Sequence, residues 1–171
     1  MLRYIVAAAV AAACTTAALA AEEHRRHGAH EHGSAELNVA WEGKTVTIEL
    51  ESPAVNIVGF EHQPRTDAQK KAVNDAMATL KKPDSLFAFT PEARCAGKTT
   101  GVESELAKAH GHTEFHATYS FTCENPEALK TIDVNVFTLF PKTHKLRAQV
   151  VSVRGQSATE LKPGAARLTL P

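Results

Sequence analysis

Apolar and polar residues alternate in two neighbouring stretches of the chain, which is the pattern of β-strands with one buried face. The apolar positions are Ala35, Leu37, Val39 and Trp41 in the first stretch, then Val46, Ile48 and Leu50 in the second. These stretches predict a β-hairpin with a two-residue turn at Glu42-Gly43. In that register Val39 pairs with Val46, and Glu36 lies directly opposite Glu49 on the polar face.

Apolar residues recur at helical spacing farther along the chain. The second strand ends at Pro53, and residues 56–62 are expected to form a loop or a short helix. Thr66 can cap the helix that follows, with Gln69 as its capping-box partner, and Pro83 closes that helix. One packed face is predicted from Ala68, Ala72, Val73, Ala76, Met77 and Leu80.

Alternation returns from His112 to Cys123, where odd positions are apolar and even positions are polar. One face of this strand is expected to meet the core and the other to meet water. Asn125-Pro126 can begin a short helix. Further strands are predicted at 132–136, at 146–153, from a tight turn at Gly155-Gln156 to Leu161, and at 167–170. Together the elements predict an α+β fold, mostly antiparallel β-sheet with one substantial helix, in a single domain.

Composition narrows the possible functions. The chain has 171 residues, with 19 Lys and Arg against 19 Asp and Glu. This length favours one domain. Because the charges balance and no long basic block occurs, no nucleic-acid partner is expected. Histidine is the unusual residue: the chain has nine, and they cluster near its start.

The first twenty residues have the layout of a secretory signal peptide. An early cation at Arg3 precedes an apolar stretch over 4–13, and Ala18-Leu19-Ala20 offers small residues for cleavage. The apolar stretch is too short to cross a bilayer, so the protein is not expected to span the membrane. We therefore expect residues 1–20 to be removed and the protein to be exported from the cytoplasm. Acylation at Cys14 is the less favoured alternative.

Removal of that peptide leaves two cysteines, Cys95 and Cys123. In an oxidising compartment an isolated pair is most simply a disulfide. A metal site is the alternative, but neither a C-x-x-C pair nor adjacent histidines surround them. We expect the disulfide.

The first candidate metal-binding segment is a flexible N-terminal arm over residues 21–33, which shows no apolar periodicity. Its possible ligands are His24, His27, His30 and His32, with Glu31 among them. Neutral imidazole suits Zn²⁺, and also Cu²⁺ and Ni²⁺. Cleavage after Ala21 instead of Ala20 would place His24 third from a free N-terminus, which is a Cu²⁺ or Ni²⁺ chelate. A polar linker without metal is the plainer interpretation.

The second candidate segment lies on the strand that begins at His112. If the strand forms, His112, Glu114 and His116 share its polar face, and neighbours two residues apart can hold one ion. His110 lies just before them, and Glu61-His62 forms a further candidate pair in the loop that precedes the long helix. For each group an ordinary solvated or structural role is the alternative.

Catalysis is not expected from the motifs. The chain has no H-E-x-x-H helix, no G-x-S-x-G elbow, no P-loop and no C-x-x-C-H haem site. A zinc hydrolase would need three fixed ligands, an open coordination position and a placed base. Glu61 or Glu114 could serve as that base, but no spacing singles out either one, so metal binding is the favoured class of function.

Several segments resemble the ZrgA-like periplasmic zinc-binding proteins in the same order along the chain. They are His30–Val39, Glu51–His62, His112–Phe115, Tyr119–Cys123, Val136–Pro141 and Gly155-Gln156. Family members often carry a long histidine- and acid-rich insert in mid-chain. Here only His110-Gly-His112 remains of it, which argues against high-capacity zinc storage.

The resemblance implies periplasmic zinc binding in support of zinc uptake, with a zinc importer or its solute-binding component as a possible partner. The family's repeated histidines fall on His30, His32, His62 and His112, with Glu61 and Glu114 as acidic neighbours. We therefore expect the arm, the Glu61-His62 loop and the His112 strand to meet around Zn²⁺. The loop and the strand belong to a zinc-binding domain over 34–171, which the arm precedes. Auxiliary ligands would be His24, His27, His110 and His116. The alternatives are a copper- or nickel-handling protein, a zinc-dependent hydrolase and a structural envelope domain.

Overall fold

The computed structural model describes residues 31–107 and 113–171. The predictions of a signal peptide and of its cleavage site lie outside the described residues. So do five candidate ligands, namely His24, His27, His30, His110 and His112. The fold and the candidate site below are therefore built from the two described segments alone.

Two β-sheets form the body of the domain. The described strands are β1 (Ser34–Glu42), β2 (Thr45–Pro53), β3 (Phe87–Phe89), β4 (Cys95–Ser104), β5 (Glu114–Cys123), β6 (Thr131–Val134), β7 (Lys145–Ser152), β8 (Gly155–Leu161) and β9 (Arg167–Thr169). The larger sheet has the order β4-β5-β2-β1-β7-β8, and the smaller has the order β3-β6-β9. All pairings are antiparallel except that of β1 with β7. The predicted α+β class, with mostly antiparallel sheet, is confirmed.

One long helix accompanies the sheets, as predicted. The helices are α1 (Ala54–Ile57), α2 (Asp67–Leu80), α3 (Pro83–Leu86) and α4 (Val136–Leu139), and single 3-10 turns lie at Pro91–Ala93, Glu105–Ala107 and Pro126–Ala128. The Thr66 side chain accepts a hydrogen bond from the Gln69 backbone N–H at 3.2 Å, and the Gln69 side chain accepts one from the Thr66 N–H. The capping box is therefore confirmed. Within the described segments, no helix is long and apolar enough to cross a membrane.

Aromatic residues fill the space between the two sheets. The Phe87 ring of β3 packs edge-on against Tyr119 and Phe121 of β5, at centroid distances of 5.3 and 6.1 Å. The buried Tyr119 hydroxyl donates a hydrogen bond to the carbonyl of Leu80 at the end of α2, at 2.9 Å. One face of the larger sheet is thus covered by the smaller sheet and by helices. We call the opposite face its outer face.

The hairpin forms, but its predicted register is wrong by two residues. Val39 pairs with Ile48, and Glu42 pairs with Thr45, so the turn is Gly43-Lys44. Gly43 has φ +54, which glycine adopts without the steric cost that Glu42 would incur, and glycine at the first turn position is typical of a type II′ turn. A shift of two leaves every side chain on its predicted face.

That shift changes the partners of the acidic residues. Glu36 lies opposite Glu51, and Asn38 takes the place opposite Glu49. The predicted pair of Glu36 with Glu49 is therefore wrong. Glu51 therefore lies between Glu36 on β1 and His116 on β5, which is its direct partner on the other side of β2.

The disulfide prediction is confirmed. Cys95 begins β4 and Cys123 ends β5, and the two residues are direct partners across the strands with Cα atoms 3.9 Å apart. The bond therefore fastens one end of this strand pair.

Three further expectations differ from the structure. Val136 begins the short helix α4 instead of extending a strand. The turn before β8 is at residues 153–154, because Ser152 pairs with Gly155 and leaves only those two residues to connect the strands. The Glu114 side chain is buried, although the alternation placed it on a solvated face.

Candidate metal site

A row of charged and ionisable side chains crosses the outer face of the larger sheet. Strand pairing places its members directly beside one another, one from each of the six strands. In spatial order the row is Glu160, Arg147, Glu36, Glu51, His116 and Glu103. We call this the charged row. Adjacent strands lie about 4.8 Å apart, so neighbouring members can touch.

The row is on the outer face because the residues next to its members in sequence point into the core. Leu37, Leu50 and Ala117 are each at most 2 % exposed, and successive side chains in a strand point to opposite faces. The Glu51 and His116 side chains are 32 % and 37 % exposed. They are therefore partly shielded and still reachable from solvent.

Glu51, Glu114 and His116 form a compact group at this end of the sheet. Nε2 of His116 is 3.3 Å from Oε2 of Glu114, and Nδ1 of His116 is 3.7 Å from Oε2 of Glu51. One potential ligand atom from each of the three residues lies within 4.8 Å of the others. Among the described residues, no other set of three or more His, Cys, Asp or Glu side chains meets this condition.

Glu114 is the buried member of the group, with a side chain that is 5 % exposed. Burial is the largest cause that raises the pKa of its carboxyl, and charge repulsion and a hydrogen bond from the nearby Glu51 add to it, so that the pKa is about 7. Glu105 and Glu36 add smaller repulsions. The raised pKa means that the charged form of this carboxyl is disfavoured, first by burial and then by neighbouring carboxylates, and a nearby cation would favour the charged form.

The donor set is chemically suited to a divalent metal. Zinc binds imidazole nitrogen at about 2.0–2.1 Å and carboxylate oxygen at about 2.0–2.2 Å. Ligand atoms around a tetrahedral ion are therefore a little over 3 Å apart, and the closest contact of His116 with Glu114 already has that spacing. The group also offers two carboxylates, which are hard oxygen donors.

A second pair joins the end of the N-terminal arm to the loop after α1. Nε2 of His32 lies 3.3 Å from Oε2 of Glu61, and the two side chains are 67 % and 26 % exposed. The other oxygen of Glu61 is buried and has no hydrogen-bond partner among the described residues. A buried carboxylate oxygen without a partner is costly, so this pair also fits a bound cation.

The segment around His32 is held in place by buried hydrogen bonds and by exposed ion pairs. Oδ1 of Asn56 accepts a hydrogen bond from the Gly33 N–H at 2.7 Å, and Nδ2 of Asn56 donates one to the Ser34 carbonyl at 2.8 Å. Glu31 pairs with Lys145 at 2.7 Å and with Arg147 at 3.0 Å. The last residues of the arm, Glu31 to Gly33, are thereby fixed beside the outer face.

The structure brings together only some of the predicted ligands. Glu114 contacts His116, and His32 contacts Glu61. His62 instead stacks on Phe60 with a centroid distance of 5.0 Å, and its Nδ1 lies 3.0 Å from the Gln63 carbonyl. A single shared site with His30 and His112 stays a prediction, because both lie outside the described residues.

Sequence reasoning did not include Glu51 among the candidate ligands. The polar face of β2 was predicted correctly, but the register placed Glu49 opposite Glu36. The sequence signal for Glu51 is Gly43 itself. Glycine is typical of the first position of a type II′ turn, and a turn at Gly43-Lys44 pairs Glu51 with Glu36.

Comparison with protein families gives one match over most of the chain. A family model described as ZrgA family zinc uptake protein matches residues 29–170. A search of curated proteins finds no significant match. The matched range contains both the Glu51–Glu114–His116 group and the His32–Glu61 pair.

Proposed function

The chain belongs to the ZrgA family of zinc uptake proteins, and from this premise we propose that it is a periplasmic protein that binds Zn²⁺ and captures or buffers it in support of zinc uptake. Zinc is then the cargo, and an importer or its solute-binding component is the partner that receives it. The observation that carries the proposal is the group formed by Glu51, Glu114 and His116.

Three properties of this group favour reversible capture of zinc. It presents one imidazole and two carboxylates within reach of one ion. The charged form of its buried carboxyl is disfavoured by burial and by neighbouring negative charge, and a divalent ion would offset both. Its other two side chains are about one-third exposed, so an ion can enter and leave without unfolding of the sheet.

The His32–Glu61 pair is the proposed auxiliary site. Two ligands alone hold zinc weakly, and the arm contributes His24, His27 and His30 in the sequence just before this pair. We propose that these histidines provide further imidazole ligands to an ion held by His32 and Glu61. His62 and His112 remain proposed ligands on the basis of the family resemblance, and His110 remains a proposed auxiliary ligand.

Periplasmic location is proposed from two features of the chain. Its first twenty residues have the layout of a secretory signal peptide, and Cys95 and Cys123 form a disulfide, which persists in oxidising compartments. We also propose binding without catalysis, which predicts that zinc-loaded protein does not hydrolyse ester or peptide substrates.

Isothermal titration of purified, metal-free protein with Zn²⁺ tests the proposal. We expect submicromolar binding, with His116→Ala and Glu51→Gln each weakening it by about tenfold or more, because loss of outer-shell partners alone typically costs 10- to 100-fold. Glu124→Gln is the matched control, since Glu124 is exposed and paired with Arg94, and it should bind as wild type does.

Competition with Cu²⁺ and Ni²⁺ separates zinc capture from handling of those metals. A clear preference for Ni²⁺ over zinc, or a preference for Cu²⁺ well beyond its usual advantage over zinc at nitrogen and oxygen sites, would contradict the proposed cargo. Zinc binding that survives replacement of Glu51, Glu114 and His116 together would show that this group is not the site.

A further inference from the structure

Arg147 is the only permanently positive member of the charged row, and it contacts two carboxylates. Its Nη2 lies 3.0 Å from Oε2 of Glu31, and its Nη1 lies 3.6 Å from Oε1 of Glu36. The Arg147 side chain is 49 % exposed. Arg147 is therefore a surface cation that pairs with Glu36 of the row and with Glu31 of the arm.

Glu36 links Arg147 to the candidate metal site. In the sheet Glu36 stands directly between Arg147 on β7 and Glu51 on β2. Its negative charge also contributes to the raised pKa of Glu114. The Glu36 carboxylate on β1 thus lies one strand away from Glu51 of the candidate metal site. Arg147, the cation that it contacts, lies on the opposite side of Glu36, on β7.

We propose that Arg147 sets the affinity and the ion preference of the Glu51–Glu114–His116 group. The proposal rests on the proposed function, since it takes this group to be the cation site. Arg147 acts in two ways. It places a fixed positive charge beside the incoming cation, and it holds the Glu36 carboxylate toward β7, which limits the number of oxygen ligands that the cation meets.

The charge effect can be estimated from the sheet geometry. Two strand spacings separate β7 from β2, or about 10 Å. Repulsion between a single and a double positive charge at that distance, with a dielectric between that of water and about 50, changes affinity by about four- to tenfold. The effect should shrink as salt is raised, because the separation is comparable to the Debye length.

The effect on ion preference has a different origin. A Glu36 carboxylate released from Arg147 would add a third oxygen donor next to Glu51. Mn²⁺ is better matched than Zn²⁺ to carboxylate-rich sites, whereas imidazole favours zinc. Arg147 therefore keeps the balance of donors in favour of zinc.

The test is titration of the full, metal-free chain with Zn²⁺ and with Mn²⁺ at low and at high salt. We expect Arg147→Gln to tighten zinc binding by about four- to tenfold at low salt, and to tighten manganese binding more. Arg147→Lys keeps the charge and should restore the wild-type zinc affinity. Arg167→Gln is the matched control, because Arg167 is an exposed arginine paired with Asp133 in the smaller sheet.

A double-mutant cycle with Glu36→Gln separates the two effects. In the Glu36→Gln background, Arg147→Gln should still tighten zinc binding through its charge, but the added gain for manganese should disappear. Unfolding midpoints of all variants should stay near that of wild type, because both residues are on the outer face.

Two results would overturn the proposal. Unchanged zinc and manganese affinity in Arg147→Gln would show that the site does not sense this cation. Weaker binding would show that Arg147 acts only by anchoring the arm through Glu31. If the wild-type chain itself bound neither metal, the proposed function would fail as well, so the two failures are distinguishable.

Discussion

At the scale of single residues, the Glu114 carboxyl carries an electrostatic cost that a bound cation would remove. Its side chain is buried, and its pKa is raised to about 7 by burial and by neighbouring carboxylates. Among these carboxylates, Glu51 has the largest effect. A glutamate on an open surface keeps its charged form without this electrostatic cost. Its position is therefore better explained by a ligand than by stability of the metal-free fold.

Replacing this carboxyl should separate stability from metal binding. A carboxyl with a raised pKa takes up protons more readily in the folded state, so its contribution to stability is fully present below about pH 4.5 and is lost as pH rises through about 7. Metal-free Glu114→Gln should therefore be more stable than wild type at pH 8 and nearly equal at pH 4.5, while its zinc affinity falls. Urea unfolding with a chelator present, at both pH values, measures this.

Glu124→Gln is the control for this experiment. It makes the same change of side chain at an exposed position outside the candidate metal site. If Glu114→Gln proved less stable than wild type at pH 8, the claimed cost of keeping a charged carboxyl buried beside other carboxylates would be absent.

At the scale of secondary-structure elements, local signals in the sequence explain α2 well and β4 poorly. The helix begins at a capping box whose two hydrogen bonds involve residues three apart. In contrast, β4 (CAGKTTGVES) contains small and polar residues and no regular apolar face. Its conformation depends on pairing with β5, including the close fit of the Phe121 ring over Gly97, where a Cβ would lie 2.2 Å from that ring.

Thr66→Ala should lower the free energy of unfolding by about 1 kcal/mol, because the substitution removes the side chain that accepts the Gln69 N–H. Chemical denaturation monitored by circular dichroism would measure the change. Thr79→Ala is the control on the same helix, since Thr79 bonds back to the Asp75 carbonyl inside the helix and alanine is a better helix former. Equal losses in the two variants would contradict a specific capping role.

At the scale of the whole molecule, the disulfide and the candidate metal site lie at opposite ends of the β4–β5 pair. Cys95 is opposite Cys123 at one end, and Glu103 is opposite His116 near the other. Because the sheet between them is continuous, the covalent bond stabilises the fold without contacting the site.

Removing the disulfide should therefore reduce stability much more than zinc binding. The bond closes a loop with a sequence separation of 28, which corresponds to about 3.5 kcal/mol in the chain-entropy model. Cys95→Ala/Cys123→Ala should unfold at clearly lower urea concentration, with zinc affinity close to wild type at temperatures where it remains folded. A large loss of zinc affinity in the folded double variant would show that the β4–β5 pair transmits the loss of the disulfide to the candidate metal site.

The sequence by itself determined which faces of β1 and β2 are buried, where the long helix begins, which cysteines pair, and that one strand carries Glu114 and His116 together. These features depend on residues close in the chain or on the small number of cysteines. The tertiary structure alone decided that Glu36, Glu51, His116 and Arg147 stand side by side. The physical reason is that alternation has a period of two, so a shift of two residues preserves every buried face while changing every cross-strand partner.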